Sequence, residues 1–260
     1  MSYFCCENSP ALIKKISTIF LAFFLFFQLD VAAQSDSNLD QKILYRKEWS
    51  CYLLAHNGGW GFGYRNGKHK TYLRKRMWEV EFVTMKHPKE KRVVSYYENS
   101  RSFIYGKLNS MYVLRGAYGV QKVLNGKPYW GGVELRWFLY GGVSLGFTKP
   151  VYLYVVKYNE ETGKNDVVAE RYDPEKHFIG DIYGRGPYFK GFDHLGFYPG
   201  AYGKTGLNFE YGANDLTLKS IECGAILDVY PLAIPLMAYN DKQNFFLSLY
   251  LSIHLGKRKN

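Results

Sequence analysis

The sequence predicts an all-β chain, an eight-stranded antiparallel transmembrane β-barrel of the up-and-down meander kind, preceded by a signal peptide. Three observations carry this reading. Aromatic residues make up 18% of the 260 positions, 24 of them Tyr and 18 Phe, and such side chains suit a pleated surface. Segment after segment alternates apolar and polar positions with period two. Several segments span 11 to 17 residues, whereas strands of soluble proteins average five or six and a tilted membrane strand needs about 9 to 11.

The chain opens with a leader-like segment. Lys14 and Lys15 precede a short apolar run from Ile16 to Phe27, and Val31-Ala32-Ala33 reads as a small-residue cleavage site. The expected division is a signal peptide over 1–33, a flexible N-terminal arm over 34–42 and a barrel over 43–260. Lys14 and Lys15 are offset by Glu7 and Asp30, so the mature chain keeps a net charge of +11. A mean hydropathy of −0.27 excludes a bundle of membrane helices. Cys51 and Cys223 are the cysteines left after the leader, which is no disulfide scaffold.

The strands are expected in this order. The first runs from Glu48 to His56, with Trp49, Cys51, Leu53 and Ala55 on one face. Asn57-Gly58 turns it, a strong hairpin signal. The second covers Gly59 to Arg65, setting Trp60, Phe62 and Tyr64 against Gly61 and Gly63, and Asn66-Gly67 is read as its end. The third is Lys75 to Met85. The fourth, Asn109 to Val123, turns at Asn125-Gly126. The fifth, Gly131 to Phe147, opposes Leu135, Trp137 and Leu139 to Glu134, Arg136 and Phe138. A small hairpin pairs Tyr152–Lys157 with Val167–Tyr172. The last three are Tyr198 to Tyr211, Leu218 to Tyr230 and Phe245 to Leu255. Long outer loops fall near 86–108, 148–197 and 231–244, and the opposite links are shorter, as outer-membrane barrels prefer. With apolar faces along their length, such strands satisfy their backbone in lipid only by closing into a ring. A soluble periplasmic barrel or sandwich of eight to ten strands is the competing reading.

Tyr45-Arg46-Lys47-Glu48-Trp49, Asn57-Gly58-Gly59-Trp60-Gly61, Met85-Lys86-His87-Pro88-Lys89-Glu90 and Gly131-Gly132-Val133-Glu134 resemble an uncharacterised outer-membrane β-barrel family of Bacteroidota. More distantly, the chain resembles small barrels of that phylum's secretion and gliding machinery. The resemblance implies the fold and the outer membrane and brings no catalytic residues. The chain departs from many outer-membrane barrels in ending on Gly256-Lys257-Arg258-Lys259-Asn260 rather than on an aromatic residue.

Four constellations are candidates for chemistry. Glu79, Glu81, Arg115, Glu134, Arg136, Glu222, Asp228 and His254 are expected to face the lumen, where enclosed charges must pair or shift their protonation. The plain reading is a salt-bridged plug. The functional one is an ion path or a cation site made by excess carboxylate. Ser252 and His254 have the spacing used by barrel hydrolases of lipid A, with Glu222 as a candidate orienting acid. Against this, the pair is expected to face inward and to sit at the periplasmic end. Lys86, His87, Lys89, Lys91 and Arg92, on an outer loop, are candidates for lipopolysaccharide phosphates. Lys68, Lys70, Arg74, Lys75 and Arg76, at a periplasmic turn, are candidates for an acidic partner protein or inner-leaflet headgroups.

The aromatic segment Gly180 to Gly203 suits an interface girdle or a protein-binding surface, and Gly184-Arg185-Gly186 lacks the strand-to-helix context of a phosphate loop. No cofactor and no metal site is expected. Nucleic acid is not an expected partner, because the charge lies at strand ends and the chain is exported. The leading expectation is a non-enzymatic structural or accessory subunit of a cell-envelope complex. The alternatives are a narrow pore for ions or small solutes and a membrane-embedded lipid-modifying hydrolase.

Overall fold

The computed structural model describes residues 47–71, 73–98, 100–126, 132–159, 163–211 and 216–259. The leader expected at 1–33 and the arm at 34–42 lie outside them. Eight long strands form the ring: β1 (Lys47–His56), β2 (Gly59–Thr71), β3 (Arg74–Met85), β6 (Asn109–Asn125), β7 (Glu134–Pro150), β11 (Gly196–Tyr211), β12 (Thr217–Ile234) and β13 (Gln243–Lys259). Each pairs antiparallel with its neighbours, and β1 closes on β13 over Lys47–His56 and Lys259–Tyr250. Short strands occupy the outer links: β4 (Arg92–Val93), β5 (Phe103–Ile104), β8 (Tyr152–Asn159), β9 (Lys164–Arg171) and β10 (Ile182–Arg185).

The pairing fixes the barrel's geometry. Stepping through paired residues from Cys51 leads to Tyr64, Val80, Gly116, Val143, Ala201, Val229 and Phe245. Extending the β13–β1 register returns the path ten residues further along than it began. Eight strands with a stagger of ten give a tilt of about 40° at ordinary strand spacings. The interior of such a ring is only wide enough for side chains to fill.

Alternation sorts the residues cleanly. Leu53, Phe62, Leu139, Val143, Leu249 and Leu251 point outward and are exposed, while Tyr52, Leu54, Val83, Phe138, Tyr140 and Ile226 are buried inside. Glycine makes room where inward aromatics cross to a neighbouring strand. A Cβ on Gly63 would lie 2.4 Å from Cζ of Tyr52, and one on Gly119 would lie 2.3 Å from Cδ1 of Tyr140.

The structure moves several expected boundaries. Asn66-Gly67 is not a turn. β2 continues to Thr71, with Asn66 opposite Trp78 and Gly67 opposite Met77. β3 begins at Arg74, so β2 and β3 lie far closer in sequence than the nine-residue separation expected between Arg65 and Lys75. β7 begins at Glu134, not at Gly131, which lies outside the described residues. β12 extends to Ile234. The last strand runs past the expected end at Leu255: Gly256 to Lys259 continue β13, paired with Ser50 to Lys47.

At the other end the outer links pack on one another. β8, β9 and β10 form a three-stranded sheet. Phe103, Leu153, Tyr172, Ile182 and Ala238 share a small apolar core, so all three long links contribute to it. Backbone bonds tie them further: Val151 N–H donates to Leu108 O and Ala238 N–H to Gly106 O.

Gly63→Val should drive the Tyr52 ring out of its place. We expect a loss of about 1–3 kcal/mol from overpacking, read as a lower urea midpoint for the heat-sensitive folded band on gels.

Candidate functional site in the barrel interior

Strand alternation delivers every charged residue expected in the lumen to the inside. Glu79 and Glu81 come from β3, Arg115 from β6, Glu134 and Arg136 from β7, Glu222 and Asp228 from β12 and His254 from β13, all buried. They do not stand alone. Arg65 of β2, Lys204 of β11, Glu48 of β1 and Glu210 of β11 are also buried there, and Arg258 of β13 joins them. Sequence reading missed these five, although parity alone would have found them: Arg65 shares the face of Gly61 and Gly63.

The groups form two chains of contacts. In the first, the Arg115 guanidinium holds both oxygens of Asp228 (2.9 and 2.6 Å) and reaches Glu81 at 3.2 Å. Lys204 bonds Glu81 and reaches Glu79 at 3.4 Å. Arg65 donates to Glu79 (2.7 Å) and, across the lumen, to both oxygens of Glu222. Tyr52 and Tyr202 hydroxyls donate to the same carboxylates, Tyr52 to Glu81 at 2.8 Å and Tyr202 to Glu79 at 2.9 Å. Asn208 Nδ2 donates to Glu222 at 2.7 Å, and His254 Nε2 lies 3.1 Å from it. The second chain, at the short-turn end, runs Lys75–Glu48 (2.5 Å), Glu48–Arg258 (3.4 Å), Arg258–Glu210 (2.6 Å), Glu210–Arg136 (3.3 Å) and Arg136–Glu134 (2.7 Å).

Each carboxylate of the two chains has partners among the neighbouring side chains, the arrangement of a salt-bridged plug rather than of an open cation site. Four acids in the first chain meet Arg115, Lys204, Arg65 and the His254 ring, and three acids in the second meet Lys75, Arg258 and Arg136. Rings add to the filling: the Tyr52 ring stacks on His254 at 4.3 Å, and the Arg65 guanidinium lies 4.8 Å from the Tyr140 ring centre. A void at the short-turn end, lined by Glu48, Arg65, Lys75 and His254 among others, measures about 10 Å³, room for about one water.

Ser252 and His254 do meet inside the barrel, but not as a hydrolase needs. Ser252 Oγ lies 2.9 Å from His254 Nε2, the same nitrogen that contacts Glu222. A relay uses one ring nitrogen for the nucleophile and the other for the acid. Here one nitrogen serves both, and Ser252 is 1% exposed. Among the described residues, no group of three or more His, Cys, Asp or Glu is set to hold a metal ion. Cys51 and Cys223 are free thiols on the outer face.

The two basic runs are split by the structure. In the outer loop, Lys86, Lys89, Lys91 and Arg92 are exposed, but His87 is buried and builds the turn. Its N–H donates to Glu90, and its Nδ1 accepts from Lys89 N–H. Burial and the nearby Lys89 amine push the His87 ring below the usual range. Lys107, beside the loop, pairs with Glu90 at 2.6 Å, and burial lowers its ammonium. In the other run, Lys68, Lys70, Arg74 and Arg76 are exposed. Lys75 is a correction: it points into the lumen and belongs to Glu48. Of the aromatic segment, Tyr188, Phe189 and Phe192 cluster at the outer end, with the Lys149 amine 4.1 Å from the Tyr188 ring centre.

No family model matches the chain, and no curated protein matches it. Among solved structures it is similar to the crystal structure of Ail, the attachment invasion locus protein of Yersinia pestis. The identity is 8%, over 83% of this chain and 99% of that one, with a TM-score of 0.37. The same Yersinia pestis protein in complex with the heparin analogue sucrose octasulfate is similar at 9% identity, with the same coverage and TM-score.

Arg65→Ala would leave Glu79 and Glu222 facing each other inside the ring without their shared cation. We expect a loss of about 3–5 kcal/mol in urea unfolding of the refolded chain. Arg65→Ala combined with Glu222→Gln should recover part of it, and recovery of none would show that the pair is not coupled.

Proposed function

We propose that this chain is a non-enzymatic β-barrel of the bacterial outer membrane, exported by the leader at 1–33, that serves as a structural or accessory subunit of a cell-envelope complex. One observation carries the reading: a closed ring whose outer face is apolar along the strands while its interior is filled with paired charge. Leu53, Val143, Leu249 and Leu251 are each more than half exposed, far beyond the scattered apolar residues of a soluble surface. A closed ring leaves no open sheet edge, which is the condition for strands to cross a bilayer.

The filled interior favours this over a narrow pore. The ion-pair chains bridge opposite walls, Arg65 of β2 to Glu222 of β12 and Lys204 of β11 to Glu79 of β3. The apolar residues Met111, Val113, Ile234 and Leu236 pack with Tyr230 within one buried cluster, and the packed outer links extend beyond it. What such a barrel offers its surroundings is its two ends and its wall. The resemblance to a Bacteroidota family fits this reading, as does the run of exposed cations at the short-turn end.

The test is localisation and conductance of the full chain. We expect it in the outer-membrane fraction, heat-modifiable on gels, and silent in planar bilayers. Leu249→Arg on the outer wall should cost about 2–4 kcal/mol in lipid. Recovery of the folded chain without detergent in the periplasmic fraction would sink the membrane reading, and steady open currents would instead favour the pore.

A further inference from the structure

The outward charges of the barrel are one-sided. At the short-turn end, Lys47 of β1 stands directly opposite Lys259 of β13 on one side and Lys68 of β2 on the other. Lys68 in turn stands opposite Arg76 of β3. All four are exposed on the outer wall. Like charges directly opposite on neighbouring strands repel, and this row has four in succession. Nothing on the wall offsets them: among the described residues, no Asp or Glu faces outward from β13, β1, β2, β3 or β6. The neighbouring carboxylate, Glu48, points inward and is already held by Lys75 and Arg258.

Two residues further in along the same strands lies a row of a different kind. Trp49, Asn66, Trp78 and Tyr118 are paired neighbours across β1, β2, β3 and β6. Trp78 and Tyr118 are exposed. Between the two rows the wall carries a groove of about 530 Å³, lined by Lys47, Asn66, Lys68, Arg76, Trp78 and Tyr118 among others. The remaining wall differs. Among the described residues, β7, β11 and β12 turn one cation outward at this end, Lys219; Lys149 of β7 also has outward parity but lies at the other end against the Tyr188 and Phe192 rings. Lys122 of β6, opposite Arg74, adds one more outward cation beside the row, so the outward charge is densest across β13, β1, β2 and β3 and thins away from them.

We propose that this groove is a binding site for the phosphate-bearing headgroup of an anionic phospholipid in the leaflet at the short-turn end. This rests on the outer-membrane reading above. Lys47, Lys68 and Arg76 would hold the phosphate, Arg76 with its planar fork. Trp78 and Tyr118 would lie at headgroup level, where amphipathic rings settle, and the acyl chains would run along the apolar wall over Tyr64 and Val80. The bound anion removes the mutual repulsion of the row. A lipid fits better than an acidic protein because the cations lie on the wall that faces the bilayer and grade directly into its aromatic belt.

The test uses the full chain, folded in detergent and incubated with mixed micelles of phosphatidylglycerol and phosphatidylethanolamine, with retained lipid counted by native mass spectrometry. Heat-dependent gel migration and outer-membrane fractionation report separately whether the barrel reading holds. We expect phosphatidylglycerol to be retained about tenfold over phosphatidylethanolamine. The variant Lys47→Gln/Lys68→Gln/Arg76→Gln, folded by the same gel criterion, should lose the preference, while Lys219→Gln on β12, outside the groove, should keep it. Inorganic phosphate at millimolar concentration should not displace the lipid. Equal retention of the two lipids by the native chain, or an unchanged preference in the triple variant, overturns the site. Full displacement by inorganic phosphate would make it a soluble-phosphate site instead. An acidic envelope protein lost from the triple variant, with lipid preference intact, would give the groove to a protein.

Discussion

The seam between the first and last strands is the constraint on which the rest depends. Lys47–His56 pairs residue for residue with Lys259–Tyr250, and without that ladder both edges of the sheet would present unpaired amides and carbonyls. Closure at a stagger of ten sets the tilt, and the tilt sets an interior that only side chains can fill. Each strand then contributes alternate residues to that interior whether they are apolar or charged. A residue such as Arg65 therefore sits at the centre of the molecule, 1% exposed, because its neighbours Tyr64 and Asn66 must face out.

Enclosing that much charge is tolerable only when each group finds partners. Desolvation of a lone guanidinium or carboxylate costs several kcal/mol, and a pair repays it only with good geometry and further hydrogen bonds. The lumen supplies both. Glu79 accepts from Arg65, Tyr202 and Lys204, and Glu222 accepts from Arg65 and Asn208. These contacts join β2, β3, β11 and β12 through the middle of the ring, so they act as cross-ties between walls that the backbone ladders connect only around the circumference. The same saturation explains why Ser252 and His254, adjacent as the sequence suggested, do not make a nucleophile. The His254 nitrogen that would take the proton already faces Glu222.

The fold was legible because its signal is local and repeated: each strand carries its own period-two pattern, and eight such patterns of membrane length with alternating link lengths leave few architectures. The lumen was half legible. Glu79, Glu81, Arg115, Arg136, Glu222, Asp228 and His254 lie within clear alternations, so parity placed them, and Glu134 followed from Arg136 two residues on. Arg65 and Lys75 fell at the very ends of their expected strands, on either side of a link read as too long. Asn66-Gly67 has the chemistry of a hairpin turn, and ending β2 there moved the residues after it into a loop. Gly67 is small for another purpose: a Cβ on it would lie 2.7 Å from Cε of Met77. Lys204 and Glu210 were missed because β11 mixes glycine and aromatics, Gly203, Gly206 and Tyr202 among them, and such a strand shows weak hydrophobic contrast.

The interior also decides what the net charge of +11 means. Its two contact chains balance acids against bases nearly one for one, so the surplus of positive charge cannot reside in the lumen. It must lie on the outer wall, the links and the ends. On the wall it is densest on β13, β1, β2 and β3, next to the seam that closes the ring, with Lys122 of β6 and Lys219 of β12 flanking them. A fold that pairs its buried charges so fully, yet sets Lys259, Lys47, Lys68 and Arg76 side by side without a single outward acid among them, has left their counter-charge to its surroundings. Along the face of a barrel in a bilayer, the surroundings at that height are headgroups.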